Sequence, residues 1–294
     1  MGKIIDKIKA GKILISDGAW GTFLQEKGLQ PGECPELWNI THPEDVLDIA
    51  KGYINAGSDM IETNSFGGSK FKLANYGLED QVHKLNKAAA EISRKAAGPD
   101  KYVLGSIGPT GKILMMGDVT EEELYDAFKE QVKGLEAGGV DAIMIETMTD
   151  LDEARLAIKA AKENTGCEVF CTMTFEKTVD GQFRSMMGIG PTDMVNTLID
   201  AGAELIGANC GNGIADMIGI VEETRKANKD IPILVHANAG MPIYKDGETV
   251  FPETPDEMAI LVPKIIAAGA NVIGGCCGTT PGHISRVREV VDGK

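Results

Sequence analysis

The sequence predicts an α/β fold: a single (β/α)8 TIM barrel with its site at the C-terminal ends of the strands. Two repeating patterns indicate this fold. Eight short apolar runs rich in β-branched residues recur along the 294 residues, and segments with the helical spacing of apolar residues lie between them. Such strands suit a parallel sheet that is buried on both faces, and eight strand-helix units favour closure into a barrel.

The predicted strands and helices alternate along the whole chain. The strands cover residues 13–16, 60–63, 102–107, 142–146, 169–174, 205–208, 233–236 and 272–275. The helices between them cover residues 43–56, 79–97, 121–137, 151–162, 192–201, 214–227 and 255–268. Four helices end in an Ala-Gly pair whose glycine suits a left-handed C-cap, namely Gly57, Gly138, Gly202 and Gly269. No linker divides residues 1–294, so one domain is predicted.

Composition and charge restrict the class of partner. Hydrophobic residues make up 43% and charged residues 25% of the chain, as in ordinary soluble globular proteins. The formal net charge of −15 would repel nucleic acid and anionic membranes, so we expect a small molecule or another protein as partner. No segment resembles a signal peptide or approaches the ~20 apolar residues of a membrane span, which predicts a cytoplasmic location.

The residues that directly follow each strand are expected to form the site, because the loops at the carboxyl ends of barrel strands carry it. In this chain those residues are small or polar. They occupy positions 17–22, 63–67, 108–110, 146–147, 209–211, 238–240 and 276–278. All of these segments are therefore predicted to lie on one rim of the barrel.

Three cysteines fall in the rim segments. Cys210 follows the sixth strand, and Cys276 and Cys277 follow the eighth. Neighbouring side chains on a regular strand point in opposite directions, so Cys276 and Cys277 can face one ion only if the strand breaks, which Gly275 and Gly278 permit. Three thiolates with one open position are typical of a catalytic zinc site.

The residues alone leave other interpretations of these cysteines open. Cysteines also pack well in barrel cores, adjacent cysteines are not a zinc-finger spacing, and a vicinal disulfide is a third interpretation. The remaining thiols, Cys34, Cys167 and Cys171, form no comparable set and are assigned to packing or to the surface. His236 and His283 are predicted not to be metal ligands.

Two further segments suggest a site for an amino acid. Glu146 ends the fourth strand in apolar surroundings, where a carboxylate pairs with a substrate ammonium group, forms a structural salt bridge or is exposed at the rim. Asp17 begins a glycine-rich turn and is either a turn-forming residue or a binding residue. The backbone N–H groups of residues 18–22 could receive a carboxylate. Together these groups could hold both charged ends of an amino acid.

Taken together, the rim segments resemble the homocysteine S-methyltransferase family over nearly the whole chain, and most closely the homocysteine-binding barrel of cobalamin-dependent methionine synthase. The resemblance depends on short motifs. They include Asp-Gly-Ala-Trp-Gly-Thr at 17–22, Glu-Thr-Asn-Ser-Phe-Gly at 62–67, Asn-Cys at 209–210, Asn-Ala-Gly at 238–240 and Gly-Gly-Cys-Cys-Gly-Thr-Thr-Pro at 274–281.

The resemblance implies a zinc-dependent methyltransferase domain over residues 1–294. In that family pattern Cys210, Cys276 and Cys277 bind Zn²⁺, and the sulfur of a small thiol substrate, homocysteine, takes the open position as a thiolate and is methylated to methionine. The first-strand loop and Glu146 would hold the carboxylate and amino group of homocysteine. The predicted substrate-binding residues are Asp17, Gly18, Ala19, Thr63, Glu146 and Asn238.

The methyl donor is the least determined part of the prediction. The first loop favours methylcobalamin or another methylcorrinoid, delivered by a separate corrinoid protein or by a module that this chain lacks. S-methylmethionine and betaine are alternative donors. A phosphate-binding barrel lyase would need a basic residue near the last loops, and residues 274–283 offer only His283. A non-catalytic metal-binding protein would bind zinc without turnover.

Overall fold

The computed structural model describes residues 3–245 and 248–293, along which strands and helices alternate. The strands are β1 (Leu14–Ile15), β2 (Met60–Glu62), β3 (Tyr102–Ile107), β4 (Ala142–Met148), β5 (Glu168–Met173), β6 (Glu176–Lys177), β7 (Phe183–Arg184), β8 (Leu205–Gly213), β9 (Ile233–Asn238), β10 (Ile243–Lys245), β11 (Glu248–Val250) and β12 (Val272–Gly275). The helices are α1 (Ile4–Lys9), α2 (Gly21–Glu26), α3 (Trp38–Thr41), α4 (Pro43–Asn55), α5 (Lys70–Leu73), α6 (Val82–Ala97), α7 (Glu121–Ala137), α8 (Leu151–Asn164), α9 (Pro191–Ala201), α10 (Ile214–Ala227), α11 (Pro255–Ala268) and α12 (Pro281–Val291).

Eight of these strands form one parallel sheet in the order β1-β12-β9-β8-β5-β4-β3-β2. The gap between β1 and β2 is bridged by Asp59, whose N–H donates to the Ile15 carbonyl at 2.7 Å and whose carboxylate accepts the Ile15 N–H at 2.9 Å. The sheet is therefore a nearly closed barrel, and the predicted (β/α)8 fold is confirmed. Two short hairpins, β6-β7 and β10-β11, are added in the loops after β5 and β9.

Buried side chains fill the barrel interior at the amino-terminal ends of the strands. Inward-facing side chains of the strands, such as Met60 and Phe170, form one buried cluster with Ile4 and Ile8 of α1. The carboxylate of Glu168 accepts the first N–H groups of α1 and so attaches this helix to the barrel end. A ligand site can consequently form only at the opposite, carboxyl end of the strands. In the described part of the chain, every helix is too short or too polar to cross a bilayer.

Three strands, β4, β8 and β9, extend beyond their predicted ends, and the extensions of β4 and β8 are irregular. The pairing of β4 with β5 shifts register between Ile145 and Met148, and that of β8 with β9 shifts between Asn209 and Gly213. Among the described residues, the non-glycine residues with left-handed backbone are Thr147 (φ 61°) and Cys210 (φ 58°), one in each irregular segment. Strained backbone of this kind is concentrated at functional sites.

Three of the four predicted glycine C-caps are left-handed, and the prediction for Gly138 is wrong. Gly138 has a φ of −87°, and the left-handed residue is the next one, Gly139, with a φ of 93°. Position 138 requires glycine for a steric reason instead. A Cβ there would lie 2.5 Å from the Ala90 Cβ and from the Lys87 carbonyl oxygen, both on the neighbouring helix α6. The glycine allows α6 and α7 to pack closely, which the sequence pattern does not indicate.

Replacing Gly207 with alanine is expected to destabilise the barrel. A methyl group on Gly207 would lie 1.8 Å from the Leu234 carbonyl oxygen on the adjacent strand β9. Because that oxygen is backbone, the two strands must separate, and we expect a loss of about 3 kcal/mol in the free energy of unfolding. Urea denaturation would measure it, with Gly166→Ala as control, since the nearest atom to a Cβ there is 3.8 Å away. Equal midpoints for the two variants would contradict the expectation.

Candidate active site

A cavity of about 310 Å³ opens at the carboxyl ends of the barrel strands. It lies among the loops that follow β1, β2, β4, β8 and β12, and it also reaches the side chains of His236 on β9 and Ser106 on β3. Its volume suits a small molecule. The cavity is where the sequence predicts the site, because five of the seven predicted rim segments contribute residues to its lining.

The three rim cysteines converge on this cavity. Their Sγ atoms all lie within 4.8 Å of one another, and the Cys210 and Cys277 sulfurs are 3.8 Å apart. Strand β12 ends at Gly275, so Cys276 and Cys277 follow the strand and need not alternate in direction. Three sulfurs placed ~2.3 Å from one tetrahedral zinc ion would be separated by ~3.8 Å. The sulfur positions therefore fit a shared zinc ion.

The protonation of the three thiols is shared. Hydrogen bonds from Cys276 and Cys277 lower the pKa of Cys210 to about 3, although its burial acts in the opposite direction. Its sulfur in turn raises the pKa of Cys276 well above the usual range and that of Cys277 to about 11. The cluster thus favours a thiolate at Cys210 beside two protonated thiols, and a divalent cation bound there would replace the remaining protons.

Asn209 connects the cysteine cluster to Glu146. Its amide nitrogen donates to Glu146 Oε2 at 3.3 Å and to Thr147 Oγ1 at 2.7 Å, and its amide oxygen accepts the Thr147 N–H at 2.8 Å. The Asn209 carbonyl accepts the Thr174 hydroxyl at 2.8 Å. These bonds hold the irregular ends of β4 and β8 together, so Cys210 and Glu146 keep a constant relative position.

Buried carboxylates form one wall of the cavity. Glu146 accepts a hydrogen bond from the Ser106 hydroxyl, and burial raises its pKa to about 7. Glu62, at the end of β2, lies on the same wall, and its pKa is raised well above the usual range by burial and then by the charges of Glu146 and Asp17. The described residues that line the cavity include no lysine or arginine. The cavity therefore favours a ligand with a positive charge.

The structure brings most, though not all, of the predicted substrate residues to the cavity. Gly18, Ala19, Thr63 and Glu146 line it. Asp17 does not: its carboxylate accepts hydrogen bonds from the Ser16 hydroxyl, the Trp20 indole and the Glu62 N–H, and so links the loops after β1 and β2.

Asn238 also lies outside the cavity lining. It is buried next to the cysteine cluster, and its hydrogen bond to Cys210 helps to lower the pKa of that thiol. Thr63 lines the cavity but uses its hydroxyl internally, because Oγ1 accepts the Ser106 N–H at 3.0 Å and contacts Ser65 Oγ at 2.6 Å. Asn238 therefore supports the site from behind the cavity surface, and Thr63 forms part of the wall without offering a free hydroxyl to a ligand.

The histidines and cysteines that were not predicted as metal ligands lie apart from the cysteine cluster. His236 lies within β9, where burial lowers its pKa to about 3, and His283 bonds to the Thr280 N–H at the start of α12. Cys34 and Cys171 are buried, and Cys167 is partly buried. Of the described histidines, cysteines and acids, only Cys210, Cys276 and Cys277 group closely enough to share a metal ion.

Sequence reasoning assigned no individual role in the site to Glu62 or to Asn209, although Asn209 lies in one of the predicted rim segments. One signal was present for each of them. Glu62 is a charged residue at the end of an apolar strand, and Asn209 directly precedes a predicted ligand. Neither signal states where the side chain points, which depends on the register of the neighbouring strands.

Comparison with known proteins shows the family. The family described as homocysteine S-methyltransferase matches residues 14–291. This chain belongs to the homocysteine S-methyltransferase family. The prediction of this family is confirmed.

Relatives of the chain include two methionine synthases. That of Mycobacterium leprae is 33% identical over 300 residues, which cover 96% of this chain and 24% of the relative. That of Mycobacterium tuberculosis is 34% identical over 298 residues, which cover 95% of this chain and 25% of the relative. This family member therefore spans about a quarter of the length of those curated relatives.

Solved structures support the fold. The homocysteine methyltransferase MmuM from Escherichia coli, in its metallated form, matches with a TM-score of 0.79 at 22% identity, over 97% of this chain and 98% of that one. The carboxyl transferase domain of Rhizobium etli pyruvate carboxylase, with a Y628A substitution and pyruvate, matches with a TM-score of 0.55 at 16% identity, over 96% of this chain and 48% of that one. At these identities the likeness concerns the barrel alone.

Proposed function

We propose that this chain is a zinc-dependent S-methyltransferase that activates homocysteine as a thiolate and methylates it to methionine. The observation that carries the proposal is the convergence of Cys210, Cys276 and Cys277 on an acidic cavity in a member of this family. A small thiol with an ammonium group satisfies both features, because its sulfur suits the cysteine cluster and its positive charge suits the carboxylates.

The chemistry of the three cysteines suits zinc as the metal. Thiolate sulfur is a preferred zinc ligand, and three protein ligands leave one position for a substrate atom. When bound, zinc would lower the pKa of a substrate thiol, which is ~8.5 in a free thiol, so that the sulfur is nucleophilic near neutral pH. We propose a reducing cytoplasm as the location, because there these cysteines stay unoxidised.

We propose that the chain's own residues orient homocysteine by its two charged ends. Glu146 accepts the ammonium group, and its orientation is held by Ser106 and Asn209. The loop after β1, including Gly18 and Ala19, faces the substrate carboxylate. The Ala19 N–H donates to Thr279 Oγ1 at 3.1 Å, so it must exchange this partner to bind an anion. Both contacts would hold the sulfur next to the cysteines during attack.

For the donor we propose a methylcorrinoid such as methylcobalamin, carried by a corrinoid protein or by a module outside this chain. The methionine synthase relatives, four times longer, support this proposal. Exposed methionines in the loops after β3 and β5, at the same end of the barrel as the cavity, also support it: Met115, Met116 and Met186 are 77%, 72% and 75% exposed. They fill no gap in the core, and flexible apolar side chains suit contact with a large donor.

A donor screen tests the function. Zinc-loaded protein would be incubated with homocysteine and with methylcobalamin, S-methylmethionine or betaine, and methionine would be measured by mass spectrometry. We expect methionine with methylcobalamin alone. Turnover with S-methylmethionine or betaine would instead establish one of the alternative donors.

Bound zinc without turnover for any donor would indicate a non-catalytic metal-binding protein. A phosphate-binding lyase is disfavoured, because the described lining of the cavity has no lysine or arginine to balance a phosphate.

A further inference from the structure

Two buried polar groups at the cavity wall have no hydrogen-bond partner among the described residues. They are Glu62 Oε1 and His236 Nε2. Glu62 is 7% exposed and His236 is 1% exposed, and both residues line the cavity. A buried polar atom without a partner costs stability, and a carboxylate costs more than a neutral group. Such atoms at the wall of a binding cavity indicate that a ligand supplies the missing donors.

We propose that Glu62 is a second carboxylate that binds the ammonium group of the thiol substrate, together with Glu146, and that it makes the site selective for thiols with an α-amino group. This inference rests on the proposed function. It adds a residue and a basis of selectivity that neither the motifs nor the comparisons provide.

Hydrogen bonds of its own backbone position Glu62. Its N–H donates to Asp17 Oδ2 at 2.9 Å, and its carbonyl accepts the Ser93 hydroxyl at 2.9 Å. His236 Nδ1 lies 3.6 Å from Glu62 Oε1, just beyond hydrogen-bond length. The imidazole has room because residue 274 is glycine, whose Cβ would lie 2.7 Å from His236 Cδ2. His236 thus lies beside the carboxylate without forming a hydrogen bond to it.

The charges in the cavity also favour a bound cation. Glu62, Glu146 and Asp17 are close enough for the last two to raise the pKa of Glu62, in addition to the effect of burial. An ammonium group near Glu62 and Glu146 would offset their repulsion and supply up to three N–H donors. Because no lysine or arginine lies in the described cavity lining, the positive charge must come from the ligand.

The inference is tested with Glu62→Gln and two thiols. Zinc-loaded wild type and variant would be titrated in a calorimeter with homocysteine and with 4-mercaptobutyrate, which lacks only the amino group. We expect homocysteine to bind about 10-fold more weakly to the variant, since a charge-assisted hydrogen bond is lost, and 4-mercaptobutyrate to bind within about twofold of wild type.

The control is Glu168→Gln, a buried carboxylate at the opposite end of the barrel, which should leave the ratio of the two affinities unchanged. An equal loss for both thiols in Glu62→Gln would overturn the inference, as would no loss for either. Wild type that binds no homocysteine would overturn the proposed function itself, which distinguishes the two failures.

The stability of the variant provides a second measurement. The Glu62 carboxylate oxygen that has no hydrogen-bond partner does not stabilise the ligand-free protein. In the absence of ligand, the melting temperature of Glu62→Gln should therefore equal or exceed that of the wild type. A variant that fails to fold would overturn the inference, because Glu62 would then be a structural residue.

Discussion

Replacement of Cys276 with alanine is expected to remove zinc from the protein and to lower methyl transfer by more than ~100-fold. Loss of a residue that only supports a metal ligand costs up to ~100-fold, and loss of a ligand itself should cost more. The physical reason is geometric. The three sulfurs lie within 4.8 Å of one another, and two remaining sulfurs cannot hold the ion in a tetrahedral site. The same result is expected for Cys210→Ala and Cys277→Ala. Metal content by mass spectrometry and methionine formation are the two measurements.

The matched control for the cysteine variants is Cys167→Ala. This cysteine is partly buried and lies outside the cluster, so its loss should change neither zinc content nor activity. Stoichiometric zinc in all three cluster variants would refute the assignment of the ligands. Loss of zinc in the control as well would show that metal content follows general stability and not the cluster.

Replacement of Glu146 with glutamine is expected to weaken homocysteine binding by about 10- to 100-fold while zinc stays bound. The variant removes a negative charge that is buried at the cavity wall, and its new amide group faces the donating nitrogen of Asn209. Zinc should be retained because Glu146 is not one of the clustered ligands. Calorimetric titration with homocysteine would measure the effect.

Glu153→Gln is the control for the Glu146 variant. Glu153 is also buried, but it accepts the Thr110 N–H and hydroxyl and does not line the cavity. Its replacement should reduce stability and leave homocysteine affinity unchanged. If the affinity is the same for Glu146→Gln and wild type, Glu146 does not belong to the substrate site.

The fold was largely predictable because its signals are local. The strand Tyr102–Ile107 and the helices Glu121–Ala137 and Ile214–Ala227 have the bounds that the apolar patterns predict. The predictions are wrong where tertiary contacts, and not the local sequence pattern, determine the conformation. Gly138 looks like a C-cap and serves helix packing instead, and β8 extends past Ala208 because its irregular end pairs with Asn238.

The site was predictable only in part. Residues after the strands meet at one rim in any barrel of this kind, so the convergence of the cysteines could be expected from the order of the strands. The direction of each side chain could not. Asp17 is in the most recognisable motif, yet it turns away from the cavity to bond with Glu62, 45 residues further along the chain.

The barrel, the family and the three clustered cysteines were predictable because periodicity and motifs are properties of consecutive residues. Two features became evident only in the folded protein: Glu62 Oε1 and His236 Nε2 lack hydrogen-bond partners among the described residues at the cavity wall, and Asp17 and Asn238 lie behind its surface. Hydrogen-bond partners and burial arise from strand register and loop packing between residues far apart in the chain, and a local pattern does not contain that information.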